Sequence, residues 1–325
     1  ASHSRDVDVS AAIAMTPGFK DRGFHGSVGA GLAAVAGAAR ALRLDADAAA
    51  HAIALAASSI GGIAIAADTS TSREWHAGAV VHAGATAALA AQSGFKGETG
   101  MLEARRGFFE SFGGVDGAAA AADALRDPDG GWQIERHMAV KLVPGGHPYH
   151  AIAEAAARAS AEADIAPEDI AWIEISRPGM SALHGPKHPA DLIDMAHSPA
   201  YFAAAAAADQ RFGWEHAQTH KIADPTIHAL VDKVIVAAPP ADAAPFRQGA
   251  AVSILAADGR RWSATVHLPT GSAALGIDWA DIDAKFRALM PASGMGDQAI
   301  EAALARIRDL RGLDDVSRLV GLIRP

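Results

Sequence analysis

Residues 27–42 read SVGAGLAAVAGAARAL. Small and apolar residues recur here without a proline, and a basic end, Arg40 and Arg43, precedes Asp45, a side chain suited to capping a second helix. Two packed helices follow from this. The second is drawn from the most apolar stretch of the chain, Ala48 to Ala67, which is about long enough to cross a bilayer. His51, two serines and a Gly-Gly pair interrupt it, so a buried helix pair is expected and no membrane span. A third helix runs from about Ala77 through Gln92 and stops at Ser93-Gly94. The segment MLEARRGFFESFGG, residues 101–114, adds a short helix closing in a glycine pair. Residues 1–136 therefore read as an all-helical domain.

The pattern changes after Asp127-Pro128-Asp129-Gly130-Gly131, a cluster of turn formers. WQIERHMAVKLVP reads as a strand or extended entry, HAIAEAAARASAEA as a helix, and AWIEISRP as a strand with period-two alternation. A second helix is expected near Ser198. KVIVAAPP and AVSILAADGRRWSATVHLP supply three more strands, the last two joined through Asp258-Gly259, a strong hairpin signal. Residues 137–275 thus form a smaller α+β domain. From Asp278 onward helical spacing returns, so residues 276–325 are expected to rejoin the helical domain. The fold class is mainly α with α+β.

Composition narrows the function. At 325 residues the chain exceeds the roughly 250–300 at which single cores stop growing, and its apolar half is dominated by alanine, which favours closely packed helices. A formal charge of −9 with no cluster of Lys and Arg argues against a nucleic-acid partner. There is no cysteine, which excludes disulfides, thiolate nucleophiles and cysteine-held metals and is compatible with a reducing cytoplasm, the expected location. The first residues, ASHSRDVDVSAAIAM, lack the basic-then-apolar order of a signal peptide.

Six blocks recur in a recognisable order. Arg22-Gly23-Phe24-His25-Gly26-Ser27 opens them, TSTSREWHAGAVVHAGATAALAAQSGFKG follows, and RRGFFESFGG, VKLVPGGHPYHAIAEA, AHSPAYFAAAAAAD and KIADPTIHALVDKVIV come later. Together they resemble the MmgE/PrpD superfamily, cofactor-independent lyases and isomerases of small polycarboxylates. The resemblance implies a helical domain interrupted by an α+β lid, a homodimer, and no cofactor. Family members ordinarily carry a further helical segment before the "GFH" element. That segment is expected to be lacking here, and a complementary N-terminal segment is then a second expected partner.

Carried over by position, the resemblance makes His25 an active-site histidine, sets Arg73 where the family usually places lysine, matches Lys141 to a lysine at the domain junction and His147 to a histidine at the lid base, and matches Tyr201 to a tyrosine of the lid. The implied model is a cleft where Arg73, Lys141 and His147 hold a di- or tricarboxylate while His25 and Tyr201 take part in proton transfer. Cations bind carboxylates through charge-assisted hydrogen bonds, and removing a proton beside a carboxylate needs such neutralisation. A dehydratase acting on a substrate such as 2-methylcitrate is favoured, with decarboxylase or epimerase as alternatives. A non-catalytic binding or assembly subunit is the alternative of another class.

Plainer roles exist for each residue. Arg73 fits an exposed cation at a helix start, Lys141 a lysine snorkelling from an apolar run, Tyr201 a gap-filler at the start of an alanine helix, and His76 and His82 packing or interface positions. The pairs His147/His150, His184/His188 and His216/His220 have the spacing of metal ligands on one helix face. No HExxH pattern accompanies them, and HPYH and HGPKH are poor helix formers, so no metal is expected. GSVGAG at Gly26 is no dinucleotide motif, because no strand precedes it.

Overall fold

Helices faced with alanine and glycine can approach until their backbones nearly touch, and the first part of the chain is built this way. The computed structural model describes residues 19, 21–125, 138–238 and 248–323. By internal contacts the chain divides into two compact units, Ala1–Met138 and Ala139–Pro325.

In the first unit α1 spans Ser27–Ala41, α2 Ala46–Ala57, α3 Ala64–Thr69, α4 Ser72–Gln92, α5 Phe108–Gly113 and α6 Gly117–Leu125. Asp45 caps α2 as its position suggested, accepting the Ala48 N–H at 2.8 Å. Helix α1 buries Val28, Gly31, Leu32, Val35 and Ala39, one face at helical spacing, and α4 answers with Val80, Gly84, Ala87, Ala88 and Ala91. The crossing is tight at Gly84, where a Cβ would lie 2.9 Å from both the Gly31 carbonyl oxygen and the Val35 nitrogen. Phe19, Val28, Leu32, Ile60, Val80 and Phe108 form one core cluster, and Val35 with Ala52, Ala56, Ala87, Ala88 and Ala91 forms another.

The second unit continues with α7 His150–Ala163, β1 Ile170–Ser176, α8 Leu192–Ala196, α9 Pro199–Asp209, α10 Thr219–Ile222, α11 Pro225–Val231, β2 Val234–Val236, β3 Ala250–Ala256 and β4 Arg261–Val266. The strands form one mixed sheet in the order β2-β1-β3-β4, with β1 and β2 parallel and the other pairs antiparallel. Asp258 and Gly259, the latter at φ +90°, make the turn between β3 and β4. Ile173 and Ile175 of β1, Val252 and Ile254 of β3 and the alanines of α7 and α9 share one core.

Of the strand or extended entry expected across WQIERHMAVKLVP, the described part forms no strand. Residues 132–137 lie outside the described residues, as does the turn cluster at 127–131, and beyond them only an isolated bridge joins Ala139 to Ser272. The chain then turns through Pro144 and Gly145, whose φ of +85° leaves extended geometry. Three helices close the chain, α12 Trp279–Leu289, α13 Asp297–Arg308 and α14 Ser317–Leu322, packed around Met295, Ile300, Ala303 and Leu304. They group with the second unit, where Lys285 sets its Nζ 5.6 Å from the centre of the Trp214 ring. Among the described residues no helix is long and apolar enough to cross a membrane.

Candidate functional site

The backbone of His25 is clamped before its side chain is considered. Phe24 forms an antiparallel bridge with Ile63, the His25 N–H donates to the Gly62 carbonyl at 3.1 Å, and the Ala64 N–H donates to the Gly23 carbonyl at 2.8 Å. Gly23, at φ +79°, makes the turn that delivers the pair. The half-buried His25 ring then meets the start of α1. The Ser27 N–H donates to His25 Nδ1 at 3.3 Å, and Ser27 Oγ lies 3.2 Å from the same nitrogen. A Cβ on Gly62 would come within 2.6 Å of Ser27 Oγ, so the hydroxyl would have to turn away.

Arg73 sits in the first turn of α4, half-buried, and His76 follows one helical turn later on the same face. The His76 ring lies 6.3 Å from that of His25, and its Nδ1 is buried without a hydrogen-bond partner. Packing or an interface was the role expected of His76 from the sequence. The structure puts it beside the histidine that the reading favoured.

The other candidates lie in the second unit. Exposed Lys141 donates from Nζ to the Gly145 carbonyl at 2.9 Å, closing a loop over Pro144. His147 opens the turn leading into α7, and its Nδ1 lies 3.3 Å from Nδ1 of His150, with the rings edge to face. Burial holds the His147 pKa below its ordinary value; the charges of Lys141 and Arg177 push the same way, and the Gln248 side chain opposes them. His150 is buried, and desolvation, then His147 and Lys141, push its pKa down to about 4, against the Gly145 and Pro144 carbonyls. It is a neutral imidazole at neutral pH. Arg177, which the sequence reading did not select, donates to the Pro148 carbonyl at 2.5 Å and brings a second cation to this turn. Nothing in its local sequence marks it, because it follows a strand rather than a motif.

Tyr201 stands apart from these groups. It is 0 % exposed at the start of α9, and its hydroxyl donates to the His216 carbonyl at 2.9 Å. Burial, then the charges of Asp224 and Asp209, push its pKa up, so the phenol keeps its proton. In this conformation the hydroxyl reaches a backbone oxygen and no surface.

The histidine pairs with metal-like spacing are engaged elsewhere. His184 Nε2 lies 2.9 Å from the Tyr149 hydroxyl, His188 stacks on His228 and contacts Asp232 at 3.0 Å, and His216 contacts Asp209 at 3.1 Å. Among the described residues no three His, Asp or Glu side chains converge where a metal ion could be held. A cavity of about 260 Å³ lies beside His150, lined by Leu142, Val143, Ala153, Phe212 and the Glu154 carboxylate among others. Its apolar walls and its acid suit a dicarboxylate poorly.

The chain is mainly helical, its second unit adds a four-stranded mixed sheet, and each unit by itself carries a histidine and a cation near the head of a principal helix. The chain belongs to the MmgE/PrpD family: the model of the MmgE/PrpD N-terminal domain matches residues 6–120, and that of the MmgE/PrpD C-terminal domain matches residues 144–310. No curated protein matches the chain. Members of this family are in general lyases of the dehydratase type, which supports an enzyme of that general kind.

Proposed function

We propose that the protein is a cofactor-independent lyase of a small di- or tricarboxylate, a dehydratase in which the proton beside a carboxylate and the hydroxyl of the neighbouring carbon leave together as one water. The observation that carries this reading is the imidazole–cation cluster of the second unit, His147 with Lys141 and Arg177; in the first unit the rings of His25 and His76 lie 6.3 Å apart, with Arg73 in the first turn of α4. In the second unit Lys141 binds a substrate carboxylate and His147 hydrogen-bonds it as a neutral ring; in the first, Arg73 offers a cation and His25 an imidazole. Neutralising the carboxylate lowers the cost of the carbanion that forms beside it. Tyr201 fills the core at the start of α9 with its hydroxyl bound to the His216 carbonyl, and we assign it no proton transfer.

The chemistry requires no cofactor. The test is a mass-spectrometric screen of the purified protein against citrate, 2-methylcitrate, cis-aconitate and iminodisuccinate. Loss of one water from a hydroxy acid is expected; loss of carbon dioxide would make the enzyme a decarboxylase, and stereochemical exchange without mass change an epimerase. If none of the four is altered, the lyase reading falls.

A second reading, a binding or assembly subunit, is favoured by one observation. Trp75, His82, Thr86 and Leu89 share an exposed face of α4, with Trp75 75 % exposed. The same face suits a homodimer contact. Assay with and without a companion helical polypeptide separates a subunit from an enzyme complete in itself.

A further inference from the structure

A histidine can act as a base through Nε2 only when that nitrogen has its lone pair and Nδ1 carries the proton. It can act as an acid through Nε2 only by starting doubly protonated and ending in that same Nδ1–H form. Both cycles need a proton on Nδ1. In this structure Nδ1 of His25 faces the backbone N–H of Ser27 at 3.3 Å, and a backbone N–H can only donate.

We propose that Ser27 is a positioning residue whose backbone N–H holds His25 as the neutral tautomer with its proton on Nε2, so that His25 serves as a hydrogen-bond donor to a substrate oxygen and not as the base. The word substrate here rests on the carboxylate-lyase reading; the tautomer does not.

Three features build the arrangement. The N-cap residue of α1, Gly26, has no side chain with which to satisfy the first N–H groups of the helix, and the His25 ring nitrogen does so for Ser27. The Ser27 hydroxyl, 3.2 Å from Nδ1, can turn its own hydrogen toward the same lone pair. The bond from the His25 N–H to the Gly62 carbonyl fixes the backbone on which the ring is mounted. A proton on Nδ1 would set two donors against each other and leave a helix N–H without an acceptor. With the proton on Nε2, the ring offers a fixed donor to an oxygen that gains negative charge as the neighbouring carbon loses its proton, the kind of stabilisation that requires no proton to leave the histidine. The hydrogen stays bonded to Nε2 throughout, and His25 takes up no proton from the substrate.

The direct test is nitrogen NMR of the protein labelled with ¹⁵N-histidine, with His25 assigned by the signals missing from His25→Gln. Above the titration of the ring, Nδ1 is expected at the position of an unprotonated imidazole nitrogen and Nε2 at that of a protonated one. Ser27→Ala should keep this pattern, because the N–H remains, which separates the backbone from the hydroxyl as its cause. Ser27→Pro deletes the N–H at the first helical position, where proline is tolerated, and should move the ring toward a mixture of tautomers. A wild-type ring with its proton on Nδ1, or an even average of the two forms, overturns the proposal whether or not the proline variant folds.

Turnover supplies the second arm. His25→Ala should slow the reaction about 10²- to 10³-fold, the usual cost of one missing donor, and His25→Gln, whose amide still donates, should recover part of that loss. A glutamine variant no faster than the alanine variant would return His25 to proton transfer and overturn the donor role. If no polycarboxylate is turned over at all, the lyase reading fails, and the NMR result still decides the tautomer.

Discussion

Two helices that rely on alanine meet opposite fates. Helix α9 of the second unit buries every residue from Pro199 to Ala207, whereas α4 of the first buries only Val80, Gly84, Ala87, Ala88 and Ala91 of its 21 residues and leaves Trp75, Val81 and Leu89 exposed. Alanine is permissive on either side of the boundary: it packs without side-chain entropy loss and tolerates water. What differs is the neighbours. Around α9 stand the sheet, α7 and α11, while α4 has α1 and α2 on one side.

The sharpest way to break this contrast is a charge. Ala204→Glu in α9 places an unpaired carboxylate in a closed core and should cost more than about 4 kcal/mol, whereas Ala79→Glu on the exposed face of α4 should stay within about 0.5 kcal/mol. Urea midpoints of the two variants decide it. Equal effects would mean that α9 is not sealed.

Next in size is the pH dependence of the second unit. His150 has a folded pKa of about 4 against an ordinary value of 6.5. Between those two values the unfolded chain takes up a proton that the folded chain refuses, so stability falls as pH falls through this window and levels off below it. The size should be roughly 3 kcal/mol, and His150→Gln should flatten the slope in that window. A slope of the same size in the variant would assign it to other groups.

Two glycines of α4 give a smaller and opposite pair. Gly84→Ala must push the Gly31 carbonyl away and should destabilise by about 1–3 kcal/mol. Gly78→Ala meets nothing within 4 Å on an exposed face and should stabilise by about 0.5–1 kcal/mol through helix propensity. Thermal midpoints moving the same way in both variants would contradict the tight crossing. Smallest is Tyr201→Phe, which deletes one buried hydrogen bond to the His216 carbonyl and should cost about 1–2 kcal/mol of stability. Its turnover should remain near wild type at a temperature where it is folded, and a large loss of kcat there would restore Tyr201 to the proton-transfer set.

Much of this was legible in the sequence because the signals were local. Asp45, Ser198 and Asp258-Gly259 each specify a cap or turn through their own side chain or backbone freedom, and the structure uses all three. The family blocks nominated His25 and Lys141 by order alone. What could not be read was contact at a distance. The Tyr201 hydroxyl ends on a carbonyl 15 residues away, a fact invisible in a run of alanines with no apolar period to show which side is buried. His76 approaches His25 across 51 positions, and Arg177 reaches Pro148 across 29, with nothing in either local pattern to announce it. The His147 and His150 spacing was visible, but spacing suggested a shared metal, whereas the two Nδ1 atoms face each other.

In the proposed chemistry cations neutralise a carboxylate while the adjacent carbon gives up a proton, and that step is measurable without knowing the final product. In D₂O, proton NMR of a polycarboxylate that the protein turns over should show the signal of the hydrogen beside a carboxylate disappearing at a rate set by the protein. Arg73→Ala and Lys141→Ala should each slow this loss at least about a hundredfold, with Arg73→Lys recovering part of it because the charge is kept. Wild-type rates in both alanine variants, or turnover with no proton lost from that carbon, would contradict the account.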